Sequence, residues 1–575
     1  MMEFSALEAV HLPEDVARAV SVATSAGDVE VRAADGVVEL LVTPATNGVV
    51  VRMELVLDRA VGYWHAGQGA SRTLAADWSG KATTSLVNDV PAGCLYDAAG
   101  RALLGWAADE LVAEVDVAYG VSEERKNFAL EVTTRDDRPL RLLLTSAGSL
   151  TETLRRLAAW MESVRPVAAL PSPATAKEPV YSTWYTFTQD INADLVEAEA
   201  TLAAQLGYGS VFIDDGWQLE AHGRGYAGCG DWLPDPAKFA DFAGHVERLH
   251  ELGLKVVVWI APVLLGERST AFAAWSRFAP SADFASRCRV LDPRFPEVRE
   301  HLASTCLRLV EDYGIDGLKI DFLEQAMVYQ GQPAEGDMQD VGVAMQTMLG
   351  QIRDRLAQAG HAETMIEFRQ PYVSPAIASY GNILRAGDCP ADAVVNRRST
   401  LDARLLATGQ VIHADPMMWS PAGGPAAVAQ QLYGGWFAVP QISMRLEHLS
   451  TDQSTALAAG LALWRRLRPV LLEGTLSVEA AELGYPLVRS SLGDQHVVGV
   501  YAHLVVDLTP LGTGQVTVIN ATPADRLVLR IGAAGARVAS TVDVLGDHND
   551  LDRDLAPGVV DLEVPPFGAV EITLH

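Results

Sequence analysis

From Val180 onward, short apolar runs alternate with amphipathic stretches long enough for helices, and this alternation restricts the fold more than any other feature of the chain. The runs are Val180–Trp184, Ser210–Asp214, Lys255–Ile260, Gly317–Asp321, Thr364–Phe368, Ile383–Ala386, Val411–Ala414 and Gln441–Met444. Helical stretches such as Asp194–Leu206, Phe239–Leu252 and Val341–Ala359 lie between them. Strands that are apolar almost throughout are buried on both faces, as in a parallel sheet whose crossovers are helices. Eight such strands predict a (β/α)₈ barrel. One interval is tight: only about 15 residues separate the fifth and sixth runs, room for one short helix.

The flanks read differently. Between residues 20 and 148, turn signals at Asp35-Gly36 and Asn47-Gly48 punctuate Val- and Leu-rich runs such as Val37–Thr43 and Val49–Leu57. Ala129–Thr133 and Leu140–Thr145 flank the polar turn Arg135-Asp136-Asp137-Arg138 and predict a further hairpin in a β-sandwich. A helix over Thr151–Val164 and a Pro/Ala-rich linker over Arg165–Pro179 lead into the alternating region. After a long helix, Ser454–Leu467, short β runs return to the end. The expected fold class is α/β, a central (β/α)₈ TIM barrel flanked by an N-terminal β-sandwich and a smaller C-terminal antiparallel β domain. The expected domains are 1–165, 166–470 and 471–575.

At 575 residues the chain is too long for one ordinary domain, and its 49% hydrophobic and 20% charged content is that of a globular protein. A formal net charge of −29 repels phosphates, so neither nucleic acid nor an anionic membrane is an expected partner; a neutral substrate is compatible. Cys94, Cys229, Cys288, Cys306 and Cys389 are odd in number and scattered, which fits reduced thiols rather than a disulfide framework. Met1–Val20 lacks a basic segment followed by an apolar core, and no apolar run reaches the roughly 18 residues of a membrane span. The expectation is a cytoplasmic protein; oligomerisation stays open.

In such a barrel, chemistry belongs at the carboxyl ends of the strands. Those ends carry Trp184, Asp214-Asp215-Gly216-Trp217-Gln218, Trp259, Lys319 with Asp321, Glu367 with Arg369, Arg385 with Asp388, and His413 with Asp415. Each alone would more often be a satisfied helix cap or loop residue; together, at the same end of successive strands, they are hard to explain as caps. Lys319 and Asp321 share a strand face, either as a structural ion pair or as a carboxylate that the lysine keeps ionised. Two carboxyl groups, aromatic faces and charged groups for hydroxyls suit glycoside hydrolysis. On that reading Asp321 is the nucleophile and Asp388 the acid/base, with Asp392 in the same loop as an alternative.

In Asp214-Asp215-Gly216-Trp217, Gly230-Asp231-Trp232, Trp259 with Pro262, Leu291-Asp292-Pro293, Gly314 through Asp321 and Arg385-Ala386-Gly387-Asp388, the chain resembles glycoside hydrolase family 36, the α-galactosidase and raffinose-synthase group. The resemblance implies that Asp321 and Asp388 carry a double displacement. It also implies that Asp214 and Asp215 hold the 4- and 6-hydroxyls of the sugar, Lys319 the 3- and 4-hydroxyls, and that Trp184 and Trp259 wall the pocket. Trp217, Arg369 and Arg385 complete the expected substrate-binding set. Departures from the pattern are Glu367 through Tyr372 where long bacterial members have a Cys-Ser-Gly-Gly segment, Arg385 where they carry tryptophan, and Ala261 where a glutamate is usual. They surround the 2-hydroxyl and the leaving group. Gln218 resembles raffinose synthases, so the alternatives are an α-glycosyl transferase, a glycosidase for another sugar such as an α-N-acetylgalactosaminide or α-xyloside, and a binding protein without catalysis. The substrate partner is an oligosaccharide or glycoside.

Gly223-Arg224-Gly225-Tyr226-Ala227-Gly228 matches a dinucleotide fingerprint but neither follows a strand nor opens a helix. His413, Asp415, Asp321 and Glu367 together are a conceivable metal set, but no helical His pair or close Cys pair supports one. No cofactor and no metal are expected. Met417, Met418 and Trp419 are either core or a wall for the leaving group.

Overall fold

The computed structural model describes residues 7–13, 20–25, 27–45, 48–67, 71–146, 148–280, 283–285, 287–333, 335–407 and 409–575. Its centre is an eight-stranded parallel sheet: β1 (Val180–Ser182), β2 (Ser210–Ile213), β3 (Lys255–Ile260), β4 (Gly317–Ile320), β5 (Met365–Arg369), β6 (Ile383–Arg385), β7 (Val411–His413) and β8 (Gln441–Ile442). The strands pair in chain order from β1 to β7, and β8 pairs with β1. The ring closes between β7 and the residues before β8, where the Val439 N–H donates to Ile412 O at 2.9 Å and the Ala414 N–H to Val439 O at 2.9 Å. The eight runs predicted from sequence are these eight strands, most of them a residue or two shorter.

Helices α1 (Ala193–Gln205), α2 (Phe242–Glu251), α3 (Pro296–Tyr313), α4 (Val341–Gln358), α5 (Ala393–Leu406), α6 (Pro425–Gly434) and α7 (Thr451–Glu473) surround the sheet. Several begin where an Asx side chain accepts a backbone N–H: Asn192 for α1, Asp241 for α2, Asp340 for α4 and Asp392 for α5. The short interval between β5 and β6 holds only a 3₁₀ turn, Pro375–Ser379. Helix α7 runs to Glu473, past the expected boundary at 470.

The N-terminal region forms two six-stranded antiparallel sheets whose inner faces enclose a separate apolar core that includes Leu40, Val51, Met53, Trp106, Leu130 and Leu142. Asp35 and Gly36, both at positive φ, join Gly27–Ala34 to Val37–Pro44 as a hairpin. The expected hairpin around Arg135–Arg138 is corrected: Asn127–Thr134 pairs in one sheet and Leu140–Thr145 in the other. That polar turn is a corner between the sheets, a choice that alternation of side chains within each strand does not specify. Asn47, in the other predicted turn, lies outside the described residues, as does most of Met1–Val20. The C-terminal region is a seven-stranded and a three-stranded sheet around a third core containing Val498, Val518, Leu529 and Ile572. No helix among the described residues is long and apolar enough to cross a membrane.

Candidate active site

The polar ends of β1–β7 converge on the carboxyl side of the barrel. Beyond β4, Asp321 is 8% exposed and takes three hydrogen bonds. The Phe322 N–H donates to Oδ1 at 2.7 Å, the Trp259 indole N–H to Oδ2 at 3.1 Å, and the Arg369 Nε–H to Oδ1. Phe322 has φ 57°, the left-handed region that bulky residues avoid. This backbone turn aims its N–H back at the carboxylate, and it follows directly on Asp321.

Burial pushes the Asp321 carboxyl up, but Arg369, Lys319, the Trp259 N–H and Arg385 outweigh it and hold it below the ordinary value. The expected Lys319–Asp321 pairing is therefore corrected in its main partner. Lys319 Nζ donates to Asp214 Oδ2, both side chains buried, and acts on Asp321 only through space. Arg369, on the next strand, is the direct counter-ion. It also donates to Glu324 Oε1 at 2.8 Å and to Gln370 O at 2.8 Å, and the Tyr372 hydroxyl donates to Glu324 Oε2.

Asp214 and Asp215 leave β2 in opposite directions. The Thr183 hydroxyl accepts the Asp214 N–H at 2.9 Å, and Asp214 Oδ1 accepts the Asp215 N–H at 2.9 Å. Asp215 accepts from Gln218 Nε2 at 2.6 Å and from Gln189 Nε2 at 2.7 Å. Burial pushes Asp215 up to about 6 against those two amides, with Asp214 and Asp321 adding to the rise. Gly216, at φ 129°, lets this turn approach: a Cβ there would stand 2.7 Å from Gln189 Cα.

Trp217, expected in the pocket, is instead completely buried. Its indole N–H donates to Trp259 O at 2.9 Å and its ring stacks on Phe242 of α2 at 5.3 Å. It packs the barrel wall behind Trp259. Trp184 is half-buried at the start of a short helix after β1, with the Arg224 guanidinium 5.4 Å from its ring centre. The glycine-rich loop that contains Arg224 folds toward the strand ends: the Arg224 N–H donates to Gln189 Oε1 at 2.6 Å, and Tyr226 packs edge-on against Phe322 at 5.3 Å.

Across the mouth, Arg385 is buried and forks between carboxylates. One terminal nitrogen donates to Asp415 Oδ1 and the other to Asp388 Oδ1 at 2.9 Å. Asp388 is 59% exposed at its side chain. Partial burial of its setting pushes its carboxyl up, but Arg385, Lys319 and Arg369 prevail and hold it at about 2. With so much of the side chain open to solvent, we read the cations as what sets this carboxylate. The same three cations thus bear on Asp321 and on Asp388.

Asp392 stands apart: its Oδ1 accepts the Val394 and Val395 N–H groups at 3.1 and 2.9 Å as the cap of α5. Glu367 and His413 form a layer below the mouth. Glu367 Oε2 accepts from Gln441 Nε2 at 2.7 Å and lies 3.1 Å from His413 Nδ1, while His413 Nε2 faces Ala176 O at 2.8 Å. Among the described residues no group of three or more His, Cys, Asp or Glu side chains is arranged to hold a metal ion.

Sequence reasoning missed Gln189, Glu324, Tyr372 and Tyr185, and it left Asp415 without a partner. The Tyr185 hydroxyl donates to Asp415 Oδ2 at 2.9 Å, and the Cys389 N–H donates to the same oxygen at 2.7 Å. Asp415 carried one signal, two residues beyond His413 and so on the same face of an extended chain. The others sit in loops and short helical turns beyond the strands and carried none. A cavity of about 730 Å³ between α6, α7 and the loop Val542–His548 has no lining residue at a strand's carboxyl end.

The Melibiase family model matches residues 158–367. "Alpha-galactosidase 2" of Pediococcus pentosaceus is 29% identical over 148 residues, 25% of this chain and 20% of that protein. The chain thus aligns with only about a fifth of the length of such curated relatives. The fold extends further. The family 36 α-galactosidase AgaA of Geobacillus stearothermophilus superposes with a TM-score of 0.64 at 12% identity, over 96% of this chain and 81% of that one. TtGalA, an α-galactosidase of Thermus thermophilus solved with p-nitrophenyl α-D-galactopyranoside, gives 0.56 at 21% identity, over 82% of this chain and 95% of that one. The Melibiase match falls on the stretch that builds β1 to β5, where Asp214, Trp259, Lys319 and Asp321 stand, and the architecture is shared with α-galactosidases of glycoside hydrolase family 36.

Proposed function

We propose that the protein is a retaining α-galactosidase that works through a covalent glycosyl-aspartate. The observation that carries this reading is Asp321: a buried carboxylate held ionised by Arg369, Lys319 and the Trp259 N–H at the carboxyl end of β4, with Asp388 opposite it in the field of the same cations. A nucleophile of this kind needs its negative charge at neutral pH and one oxygen with room for a reacting carbon. Asp321 Oδ2 has a single neutral donor, Trp259, which leaves it the less committed oxygen.

In the first displacement Asp321 Oδ2 forms a bond to the anomeric carbon as the glycosidic C–O bond breaks, and the leaving oxygen takes a proton from Asp388. Water then attacks the anomeric carbon, Asp388 recovers a proton from it, and the ester to Asp321 breaks. At about 2, Asp388 suits the base role of the second step; the acid role requires its proton affinity to rise once substrate excludes water from its exposed face. The paired Lys319–Asp214 and the carboxylate of Asp215 supply fixed donors and acceptors for sugar hydroxyls, Trp259 and the half-buried Trp184 supply ring faces, and Arg369 and Arg385 set the charge of the two reacting carboxylates. Gln218 is bonded to Asp215, so it positions that carboxylate whether the glycosyl group passes to water or to a sugar acceptor.

Reaction on a panel of 4-nitrophenyl α- and β-glycosides tests this directly. Turnover confined to the α-galactoside, with α-galactose as the first product, is expected. Turnover of β-glycosides or an inverted first product would overturn it, and transfer to added sugar in preference to water would make the protein a transferase. The expected site of action is cytoplasmic, in keeping with five scattered cysteines that are all buried.

A further inference from the structure

Glu324 stands three residues past Asp321, on the short helical turn that follows β4. Its Oε1 accepts from the Arg369 Nη2–H at 2.8 Å and from Gln325 Nε2 at 3.2 Å, and its Oε2 accepts from the Tyr372 hydroxyl. Tyr372 is completely buried and is itself fixed by the Leu323 N–H, which donates to its hydroxyl oxygen at 2.8 Å. One guanidinium is thus shared by two carboxylates, Asp321 and Glu324, and 21% of the Glu324 side chain stays open.

The donors and acceptors of this group do not close on themselves. Arg369 spends its Nε–H on Asp321 and one N–H of each terminal nitrogen on Gln370 O and Glu324. That leaves one N–H on each terminal nitrogen without a partner among the described residues. A carboxylate oxygen has room for two hydrogen bonds, and Glu324 Oε2 takes one. A donor and an acceptor side by side match a hydroxyl, which is both. Which hydroxyl follows from the reaction. The anomeric carbon has two ring neighbours, the ring oxygen and carbon 2. The ring oxygen gains positive charge as the glycosidic bond breaks, and a guanidinium on its side would oppose that charge. Arg369 binds Asp321 Oδ1, the oxygen not used in attack, so it belongs beside carbon 2.

We propose that Glu324 is a specificity-determining residue for carbon 2 of the glycone: its Oε2 accepts from a free 2-hydroxyl, whose oxygen in turn accepts from Arg369. The proposal rests on the reading of Asp321 as nucleophile given above. An acetamido group at carbon 2 would press a methyl against two charged side chains and displace water from them without replacing its hydrogen bonds. The substrates are therefore α-galactosides unsubstituted at carbon 2, and α-N-acetylgalactosaminides are refused.

The test uses three substrates with one leaving group: 4-nitrophenyl α-galactoside, its 2-deoxy analogue and its 2-acetamido analogue. The wild-type protein is expected to turn over the acetamido sugar at least about 10³-fold less efficiently than the galactoside. In Glu324→Gln, which keeps the shape and an acceptor for Tyr372, the ratio of kcat/KM for the galactoside over that for the 2-deoxygalactoside is expected to fall about tenfold. Glu324→Ala is expected to lower that ratio further. Comparing ratios between variants cancels the intrinsic reactivity of the 2-deoxy sugar, and a residue that served the fold alone would depress both substrates equally. A ratio unchanged in both variants, or a wild-type protein that takes the acetamido sugar as readily as the galactoside, overturns the role of Glu324 while leaving Asp321 in place. Wild-type protein that turns over none of the three overturns both readings.

Discussion

Two charge clusters, one anchored on α5 and one at the strand ends, are built for different ends. In the first, Arg72 of the N-terminal region donates to Asp402 of α5, and Asp402 also accepts from Tyr485 of the C-terminal region and from the Trp64 indole at 3.2 Å. Trp64 in turn donates to the Tyr485 hydroxyl at 2.9 Å. Both Asp402 oxygens are committed, and both charged side chains are 5% exposed or less. The cluster pins all three regions of the chain at one point. In the second, at the strand ends, Asp321 keeps one lightly committed oxygen and Asp388 has a single partner and an open face. Burial of charge alone does not identify a site. A carboxylate with spare acceptor capacity facing the mouth does, because that capacity has to be used by something that arrives later.

Exchanging the two consequences is the strongest way to break this contrast. Asp321→Ala is expected to lower kcat by about 10⁴-fold or more with an unchanged unfolding midpoint, since Arg369 keeps Glu324 and Gln370 O as partners. Asp402→Ala is expected to do the reverse. It leaves the Arg72 charge buried and unmatched, a cost of about 3–5 kcal/mol, while turnover of the folded fraction stays near wild type. Urea denaturation with parallel kinetics reads both. A stable Asp402→Ala, or an Asp321→Ala that unfolds, would erase the distinction.

Asp388→Ala sharpens it within the mouth. The loss is expected to reach about 10²–10⁴-fold on glycosides with poor leaving groups and to be much smaller on 4-nitrophenyl or fluoride leaving groups, which need little protonation. Equal losses on all of them would remove Asp388 from the acid role. A smaller effect follows for Arg369→Gln. Without its nearest cation the Asp321 carboxyl rises toward the push of burial, so the acid limb of the kcat/KM profile is expected to move to higher pH. A limb that stays in place would make Lys319 the dominant partner, as the sequence alone suggested.

How much of this was legible depended on distance along the chain. The barrel was, because strand burial and helix periodicity are local patterns. So were the strand-end carboxylates and Lys319, which stand within the strands' own registers. Pairings between residues of different strands and loops were not. Arg369 and Asp321 are brought together by adjacent strands whose loops hide any spacing rule, and nothing about Gln189 marks it as a partner of Asp215. Trp217 was misplaced for a related reason. Alternation stops at the end of β2, and the positive φ of Gly216 then sends the tryptophan behind the barrel wall instead of into the mouth. In the N-terminal region each strand was readable, but which sheet it joined was a non-local choice. The chain therefore predicts what its elements are more completely than what they touch.

The subtlest difference between the clusters is protonic, and Asp415 exposes it. Burial pushes this carboxyl up to about 7; Arg385 opposes the rise, Asp388 adds to it, and the Cys389 and Tyr185 donors oppose it. A raised carboxyl binds its proton in the folded state while the unfolded chain has already lost it, so its contribution to stability falls as pH rises from about 4 to about 7. Above that range an ionised Asp415 holds Arg385 from one side; below it, Arg385 leans wholly on Asp388 and Glu367. Asp415→Asn fixes the neutral state and keeps acceptors for Tyr185 and the Cys389 N–H. It is expected to flatten the inflection near pH 7 in the kcat/KM profile, with at most a severalfold change at the optimum, and to make stability less sensitive to pH between 4 and 7. An inflection that persists in Asp415→Asn would assign it to Asp215, whose carboxyl stands at about 6, and would leave Asp415 a fixed partner like Asp402.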